Sequence, residues 1–345
     1  MFRQLLLLTG PLLLAGGLAA QDPVFSQFYA SPLQINPAFT GITYAPRIAV
    51  NYRNQWRNVP NAYSTFAASF EQFVPELNSG FGIFAQSDQA GEVGNESLIE
   101  TSWFKAVYGY KVQVTRELNV KFGVEAGYTQ NNVNWDALVF FDQLDRLTGS
   151  LDAGGNVNPS QEVRPDALNS GHLDIGAGVL AYTPHFYGGV SLKHLNTPDY
   201  GILRVNENLD GGLPMRVSVH GGGNIVLRKG SGGRAGTFVS PNVLYTQHGP
   251  TGQVNAGAML NVDYLFGGLW YRQAFTNGDA VIALVGVQYD LFKFGYSYDL
   301  TVSQLTNANT GGAHEVSVVL NFDNSAANQR RRRAARYNDC FQIFR

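Results

Sequence analysis

The feature that most constrains this chain is a recurring alternation of apolar and polar residues with a period of two. Between residues 292 and 301, the even positions are large and apolar or aromatic, whereas the odd positions are polar or glycine. Comparable runs occur at residues 120–129, 215–228 and 315–322. Successive side chains of a strand point to opposite faces of its sheet, so each run has one apolar and one polar face. This pattern is typical of a membrane-spanning barrel strand, whose outer face meets lipid.

The number of such segments and the lengths of the links between them indicate the fold class. Strands are predicted at residues 47–55, 63–73, 80–87, 98–114, 119–130, 173–182, 185–194, 215–228, 236–246, 253–262, 265–275, 279–289, 292–301 and 313–322. Every second link is short, whereas residues 131–172, 195–214 and 302–312 form long polar links. The sequence therefore predicts an all-β fold, a transmembrane antiparallel up-and-down β-barrel of about 14 strands. Its short turns should be periplasmic, its longer loops extracellular, and both termini periplasmic.

The N-terminal residues have the layout of a secretory signal peptide. Arg3 is followed by an apolar run from Leu5 to Leu14, and small residues precede Gln21. This run is too short to cross a bilayer as a helix, which needs about 20 apolar residues. We therefore predict that residues 1–20 are a signal peptide that is removed on export.

The composition agrees with a membrane barrel and argues against several other classes. Only 14% of the residues are charged, against about 25% in soluble domains, while 12% are aromatic and 39 are glycine. The net charge of -2 offers no overall electrostatic footprint for nucleic acid, and the single Cys340 excludes a disulfide framework. The six histidines lack the spacing of a metal-binding motif, and no nucleophile motif occurs. We expect no enzyme activity, no metal and no cofactor.

Two segments flank the predicted barrel, which covers residues 47–322. Residues 21–46 form a periplasmic or lumenal lead-in, rich in proline and aromatic residues, and residues 323–345 form a basic periplasmic tail. The predicted topology also allows both segments to lie inside the lumen. Clustered cations on a flexible tail attract acidic surfaces over a long range. The candidate residues for binding a periplasmic partner are Arg330, Arg331, Arg332, Arg333 and Arg336.

The lead-in allows two interpretations. Asn36 and Pro37 fit an Asx-type turn that only steers the chain into the first strand. Alternatively, the lead-in is a plug or docking strip, since a disordered segment would not need so many aromatic residues. The sequence leaves open whether it packs inside the barrel or on a partner. The candidate plug or partner-binding residues are Phe25, Phe28, Tyr29, Asn36, Pro37, Phe39, Arg53 and Trp56.

The polar face of the predicted strands carries charges of both signs. Arg53 alternates inward, whereas Trp56 fits an aromatic belt at the membrane interface. The interior is therefore either a solvated, salt-bridged lumen or a surface that grips a plug or a cargo segment. The predicted lumen-facing charges are Lys105, Lys111, Lys121, Glu125, Lys193, Arg216, Arg228 and Glu315.

The lead-in and the first strand carry the motifs of a known family. Residues 21–29 read QDPVFSQFY, residues 35–41 read INPAFTG and residues 52–56 read YRNQW. These strongly resemble the Q-D-P-x-F-S-Q-Y, I/L-N-P-A-x-A/T-G and Y-R-x-Q-W motifs of the PorP/SprF family, although Phe28 stands where the family often has Tyr. Residues 187–195 are similar to its mid-barrel segment, and the resemblance extends over essentially the whole mature chain.

The resemblance implies an outer-membrane component of the type IX secretion system, which exports surface adhesins and enzymes in bacteria with gliding motility and their relatives. It implies partners among the periplasmic and outer-membrane components of that system, adhesin cargo to be secreted or anchored, and a lipid bilayer as environment. A passive outer-membrane diffusion or uptake channel is the alternative. A channel needs an open, water-filled lumen, whereas we expect the lead-in to occlude it.

Overall fold

The alternating segments form antiparallel strands that pair in chain order. The computed structural model describes residues 22–59, 63–93, 96–152, 154–165, 168–198, 212–228, 236–275, 277–303, 306–325, 327–330 and 339–344. The strands are β1 (Arg47–Gln55), β2 (Tyr63–Val74), β3 (Ser79–Val93), β4 (Glu96–Gln113), β5 (Asn119–Val133), β6 (Asn169–Tyr182), β7 (Phe186–Lys193), β8 (Arg216–Gly223), β9 (Ile225–Arg228), β10 (Thr237–His248), β11 (Thr251–Val262), β12 (Leu265–Ala274), β13 (Gly278–Tyr289), β14 (Phe292–Thr301) and β15 (Ala313–Asn321). Outside the described residues lie the predicted signal peptide, most of the loop 195–214, Arg331, Arg332, Arg333 and Arg336.

The sheet closes on itself. β1 pairs with β15 from Arg47 opposite Asn321 to Gln55 opposite Ala313, and β10 pairs with β11. β8 and β9 both pair with β10 and are separated only by Asn224. The fifteen segments therefore occupy fourteen positions around a closed antiparallel barrel. The predicted fold class is confirmed.

The two faces of the barrel wall differ as the alternation predicts. In β14, Phe292 and Phe294 are exposed on the outside, whereas Lys293 and Asp299 are buried on the inside. An outward apolar face and an inward polar face match a lipid environment around a polar interior.

Arg228 is an exception among the predicted lumen-facing charges. The ladder between β9 and β10 shifts register beside Thr237, and all four residues of β9 are exposed. Arg228 thereby reaches the outside of the rim, where its Nη2 lies 2.5 Å from Oδ1 of Asp263. The prediction was wrong here because a bulge at the strand end interrupts the period of two.

The links differ in length at the two ends of the barrel. At one end, β11 and β12 are joined by two residues beginning at Asp263, and β13 and β14 by two beginning at Asp290. Both aspartates have positive φ angles, 53° and 51°, as tight hairpin turns require. The other end carries the long link between β5 and β6. We call these the short-turn end and the long-loop end.

The helical segments in the described ranges are single turns. α1 (Pro32–Ile35) and α2 (Asn307–Thr310) are accompanied by 3-10 turns at Pro37–Phe39, Pro75–Leu77, Trp135–Ala137, Phe141–Gln143, Phe322–Asn324 and Phe341–Phe344. None of the helices in the described ranges is both long and apolar enough to cross a membrane. Since the outer face is exposed, the buried core lies in the lumen, where α1 and the turns at Pro37–Phe39 and Phe341–Phe344 are buried.

Candidate functional site in the lumen

The lead-in runs through the barrel interior. Phe25, Tyr29 and Phe39 are each at most 2% exposed. Phe28 is partly buried, and its ring packs edge-on against that of Trp270 at 6.0 Å. Of the two packing alternatives that the sequence leaves open, the structure places these aromatic residues inside the barrel.

The lead-in crosses the lumen from one end to the other. The Asp22 carboxylate lies 2.9 Å from Nε2 of His194, which follows β7 at the long-loop end. Nζ of Lys121, near the short-turn end of β5, donates to the carbonyls of Thr40 and Gly41 at 2.5 and 3.1 Å. The first described residue, Asp22, thus lies at the opposite end of the barrel from the start of β1. The placement of both termini on the periplasmic side stays a prediction.

Asn36 both forms the turn and attaches it to the wall. Its Oδ1 accepts a hydrogen bond from the amide of Ala38 at 2.8 Å, which is the predicted Asx-type turn. Its Nδ2 donates to the carbonyls of Val179 in β6 and Val190 in β7, at 3.1 and 3.2 Å, and lies 3.0 Å from Nε2 of His220. The buried side-chain amide of Asn36 therefore forms the turn and also binds the lead-in to the barrel wall.

Glycines in the wall allow this close approach. A Cβ atom on Gly178 would lie 2.1 Å from Oδ1 of Asn36, and one on Gly123 would lie 2.2 Å from the amide nitrogen of Ala38. Neither distance is compatible with a side chain, so these positions require glycine. At these two glycines, the inward face of the wall lets the lead-in approach the strand backbone directly.

A first group of buried charges holds the start of the lead-in, and we call it the Arg53 cluster (Arg53, Arg272, Asp299 and Glu315). Arg53 pairs with Asp299 at 2.8 Å and with Glu315 at 3.2 Å, and Arg272 lies 3.0 Å from Asp299. Ser26 is bound between them: its amide donates to Glu315 and its hydroxyl to Asp299, both at 2.7 Å. The inward orientation predicted for Arg53 is present, and the cluster grips the lead-in.

A second group, the His194 cluster (Asp22, Asp174, His194, Arg216 and His248), lies at the long-loop end. The two ring nitrogens of His194 each lie 2.9 Å from a carboxylate, Nδ1 from Asp174 and Nε2 from Asp22. Burial opposes the charge of Asp22, but His194 and Arg216 outweigh it and hold the pKa of that carboxyl well below its usual value. Burial likewise opposes the charge of His194, but the two carboxylates raise the pKa of its imidazole.

Within the part of the chain that the structure describes, the same cluster contains a group of three possible metal ligands. Ligand atoms of Asp22, His194 and His248 lie within 4.8 Å of one another. Arg216 already places a cation 3.1 Å from the Asp22 carboxylate, which opposes a second positive charge there. Sequence reasoning missed this grouping, because Asp22 and His194 are 172 residues apart and no local motif links them.

Wall lysines connect several strands to the lead-in. Glu125 accepts from Lys105 and Lys193, both at 3.0 Å, and Lys105 also lies 2.7 Å from Asp174. Lys193 donates in addition to the carbonyl of Leu33 at 3.1 Å. The mixed charges predicted for the lumen are therefore largely salt-bridged, and some of them bind the lead-in directly.

Arg47 extends this contact to the backbone of the lead-in. Its Nη1 lies 2.9 Å from Glu71, and its Nη2 donates to the carbonyls of Tyr29 and Ala30 at 2.8 and 3.1 Å. Glu71 in turn accepts from the amide of Gly41 at 2.9 Å. An ion pair in the wall thus binds the lead-in at two points of its length.

The last described residues of the tail also lie inside the barrel. Cys340, Phe341, Ile343 and Phe344 are at most 1% exposed. Their apolar side chains pack against the lead-in, so this part of the tail lies in the lumen, one of the two positions that the predicted topology allowed. Arg330 is exposed, so the prediction of a basic partner-binding strip stays a prediction.

Trp56 lies apart from the lumen contacts. It follows β1 at the long-loop end with a φ of 62°. Its amide donates to the carbonyl of Gly312 at 2.8 Å, and its ring packs edge-on against Tyr63 at 5.7 Å. Trp56 therefore belongs to the rim.

A closed antiparallel barrel with an apolar outer face and a lumen filled by its own chain defines a plugged membrane β-barrel protein. Residues 17–320 match the family described as type IX secretion system membrane protein PorP/SprF. The chain belongs to this PorP/SprF family, as the motifs of the lead-in and the first strand implied.

Several solved barrel structures are distantly similar. The P. putida toluene transporter TodX is 13% identical, with 83% of this chain and 92% of that chain covered and a TM-score of 0.48. A Pseudomonas aeruginosa FadL homologue is 11% identical, with 83% and 93% covered and a TM-score of 0.45. An Rh. blastica porin mutant is 8% identical, with 81% and 99% covered and a TM-score of 0.33. These similarities say nothing about function. No curated protein matches the chain.

Proposed function

We propose that this protein is a non-enzymatic outer-membrane scaffold of the type IX secretion system that helps to secrete or anchor cell-surface cargo such as an adhesin. The observation that supports it is the filled lumen, where the lead-in and the tail occupy space that a channel would leave to water. One cavity beside Phe28, Phe39 and Leu244 measures about 10 Å³, room for about one water molecule. A passive diffusion channel, the alternative, needs a continuous aqueous path.

The long loop between β5 and β6 supplies a surface for such cargo. The Asp145 carboxylate accepts from the amides of Leu147 and Thr148 at 2.7 and 3.1 Å, and Gln143 and Asn158 exchange hydrogen bonds at 2.7 and 2.8 Å. The loop is thus held by its own polar contacts.

Large apolar side chains of this loop nevertheless point into solvent. The exposed fractions are 91% for Phe141, 95% for Leu147 and 85% for Val163. Large apolar side chains exposed on a loop with its own polar contacts are available to a protein partner. We propose that the long-loop end faces the cell exterior and that this surface contacts cargo, while the short-turn end faces periplasmic components of the apparatus.

The test is co-purification from native membranes after chemical cross-linking. The tagged protein should recover a secreted surface protein, and the double variant Phe141→Ser with Leu147→Ser should recover much less of it. Arg164→Ala, in the same loop, is the matched control and should behave as wild type. Normal cargo display in cells that lack the protein would contradict the proposal.

A further inference from the structure

Residues 339–344 of the tail lie in an aromatic slot, which is formed by Phe39 of the lead-in with Tyr182 and Tyr187 of the wall. The ring of Phe341 lies 4.7 Å from that of Tyr182 and 5.7 Å from that of Tyr187, measured between centroids. The ring of Phe344 lies 5.1 Å from that of Phe39. Ring pairs at these separations attract each other beyond simple burial of area. Two side chains of the tail, three positions apart, therefore occupy matched aromatic surroundings.

Two buried basic side chains of the wall bind the backbone of the same segment. Nε of Arg47 donates to the carbonyl of Phe344 at 3.2 Å, and Nζ of Lys293 donates to the carbonyl of Ile343 at 2.6 Å. Nζ of Lys293 also lies 4.5 Å from the ring centre of Tyr29. Hydrogen bonds to main-chain carbonyls recognise a backbone whatever its side chains are.

The aromatic slot thus combines pockets for two side chains of a 3-10 turn with hydrogen-bond donors for its main chain, and both kinds of contact are used in peptide recognition. Arg47 begins β1, Lys293 lies at the start of β14, and Tyr182 ends β6, all at the short-turn end.

We propose that the aromatic slot is a peptide-binding site, and that residues 339–344 are its resident ligand, bound in cis. A separate peptide with two phenylalanines three positions apart and an aliphatic residue before the second binds the same site from the short-turn end once the resident segment leaves. This site is distinct from the cargo surface proposed on the long loop and does not depend on it.

Cys340 offers a direct test in the full-length protein, because it is the single cysteine of the chain and is buried beside Phe341. A synthetic peptide of residues 339–345 with Cys340→Ser should displace the resident segment and speed labelling of the protein's thiol by maleimide at least about tenfold at saturation. A control peptide that also carries Phe341→Ala and Phe344→Ala should leave the labelling rate unchanged. Equal labelling with both peptides, or no change with either, would overturn the proposal.

A second measurement removes the resident ligand. A barrel ending at residue 330 should bind the fluorescently labelled peptide with a saturable rise in anisotropy, and the control peptide at least about tenfold more weakly, given the area that two phenylalanines bury. In the full-length variant with Phe341→Ala and Phe344→Ala, the tail no longer fills the slot. This variant should therefore also bind the peptide. A folded barrel with an empty slot that shows no saturable binding would refute the site.

Discussion

At the scale of single residues, the lumen places buried charged side chains beside buried backbone groups of the lead-in. Each supplies hydrogen-bond partners for the other. The side chains of Arg53, Asp299 and Glu315 are at most 3% exposed, so the two carboxylates rely on the two arginines and on Ser26 for compensation. Removing one partner of such a group leaves an uncompensated buried charge, which costs far more than breaking a pair on the surface.

We therefore expect Arg53→Met to lower the free energy of unfolding by about 3–5 kcal/mol. Arg164→Met, at the exposed pair with Asp136, should change it by at most about 1 kcal/mol. Unfolding of the purified barrel in detergent, followed by its heat-dependent mobility on a gel, measures both. Similar losses for the two variants would show that the Arg53 cluster contributes no more than a surface pair.

Asn36 and Gly178 provide a second test, since they meet across the interface between lead-in and wall. Asn36→Ala removes four contacts, including the acceptor of the buried Ala38 amide, for a loss of about 1–3 kcal/mol. Gly178→Ala places a methyl group against the same side chain. Because both changes disrupt one contact, the double variant should lose less than the sum of the single losses. Strict additivity in thermal unfolding would contradict this.

The His194 cluster makes the stability depend on pH. His194 has a raised pKa, so its charge stabilises the fold fully below the ordinary value of 6.5, and this is lost as pH rises through the raised value. Asp22 has a lowered pKa, so its contribution is present above 3.8 and is lost only as pH falls through the lowered value. Both charges therefore stabilise the fold between pH 3.8 and pH 6.5.

The unfolding midpoint should therefore be higher at about pH 5.5 than at about pH 9, and His194→Asn should reduce the difference. Asp174, Arg216 and His248 face His194 and stay in place in this variant. An equal pH response of wild type and variant would assign the effect to other groups.

At the scale of elements, the two ends of the barrel differ in what they present to solvent. The link between β5 and β6 is held by its own hydrogen bonds, whereas β11 and β12 are joined by a two-residue turn at Asp263. Short turns accept inserted residues poorly and long surface loops accept them well.

An epitope tag after Leu147 should be labelled by antibody on intact cells without loss of the folded barrel. A tag inserted in the turn at Asp263 is the matched control and should be labelled only after the outer membrane is opened. The reverse pattern would invert the topology of the barrel.

At the scale of the whole molecule, the lead-in and the tail make the interior of a fourteen-position barrel resemble a protein core. A barrel of this size is wider than the eight-stranded kind that wall side chains fill by themselves. Here, the space is taken by chain from before β1 and from after β15.

The full-length protein should consequently show no large, steady conductance in planar bilayers, while migrating as a heat-modifiable barrel on gels. Removing residues 331–345 should increase brief openings, because the short-turn half of the lumen loses Phe341 and Phe344. Porin-like steady conductance from the full-length protein would favour the passive channel over the scaffold.

The sequence by itself determined the barrel, its strand positions and the separation of short turns from long loops. These depend on the period of two and on segment lengths, which are local properties of the chain. It also determined that Asn36 forms a turn, because the Asx contact to Ala38 spans only two residues.

Only the tertiary structure decided that the lead-in crosses the lumen, that the tail returns into it, and that Asp22 meets His194. These contacts join residues far apart in sequence, and their partners are backbone carbonyls and glycine surfaces that carry no motif of their own. Burial inside the closed wall determines these long-range contacts, because a buried polar group must find its hydrogen-bond partner within the chain. No local sequence pattern encodes them.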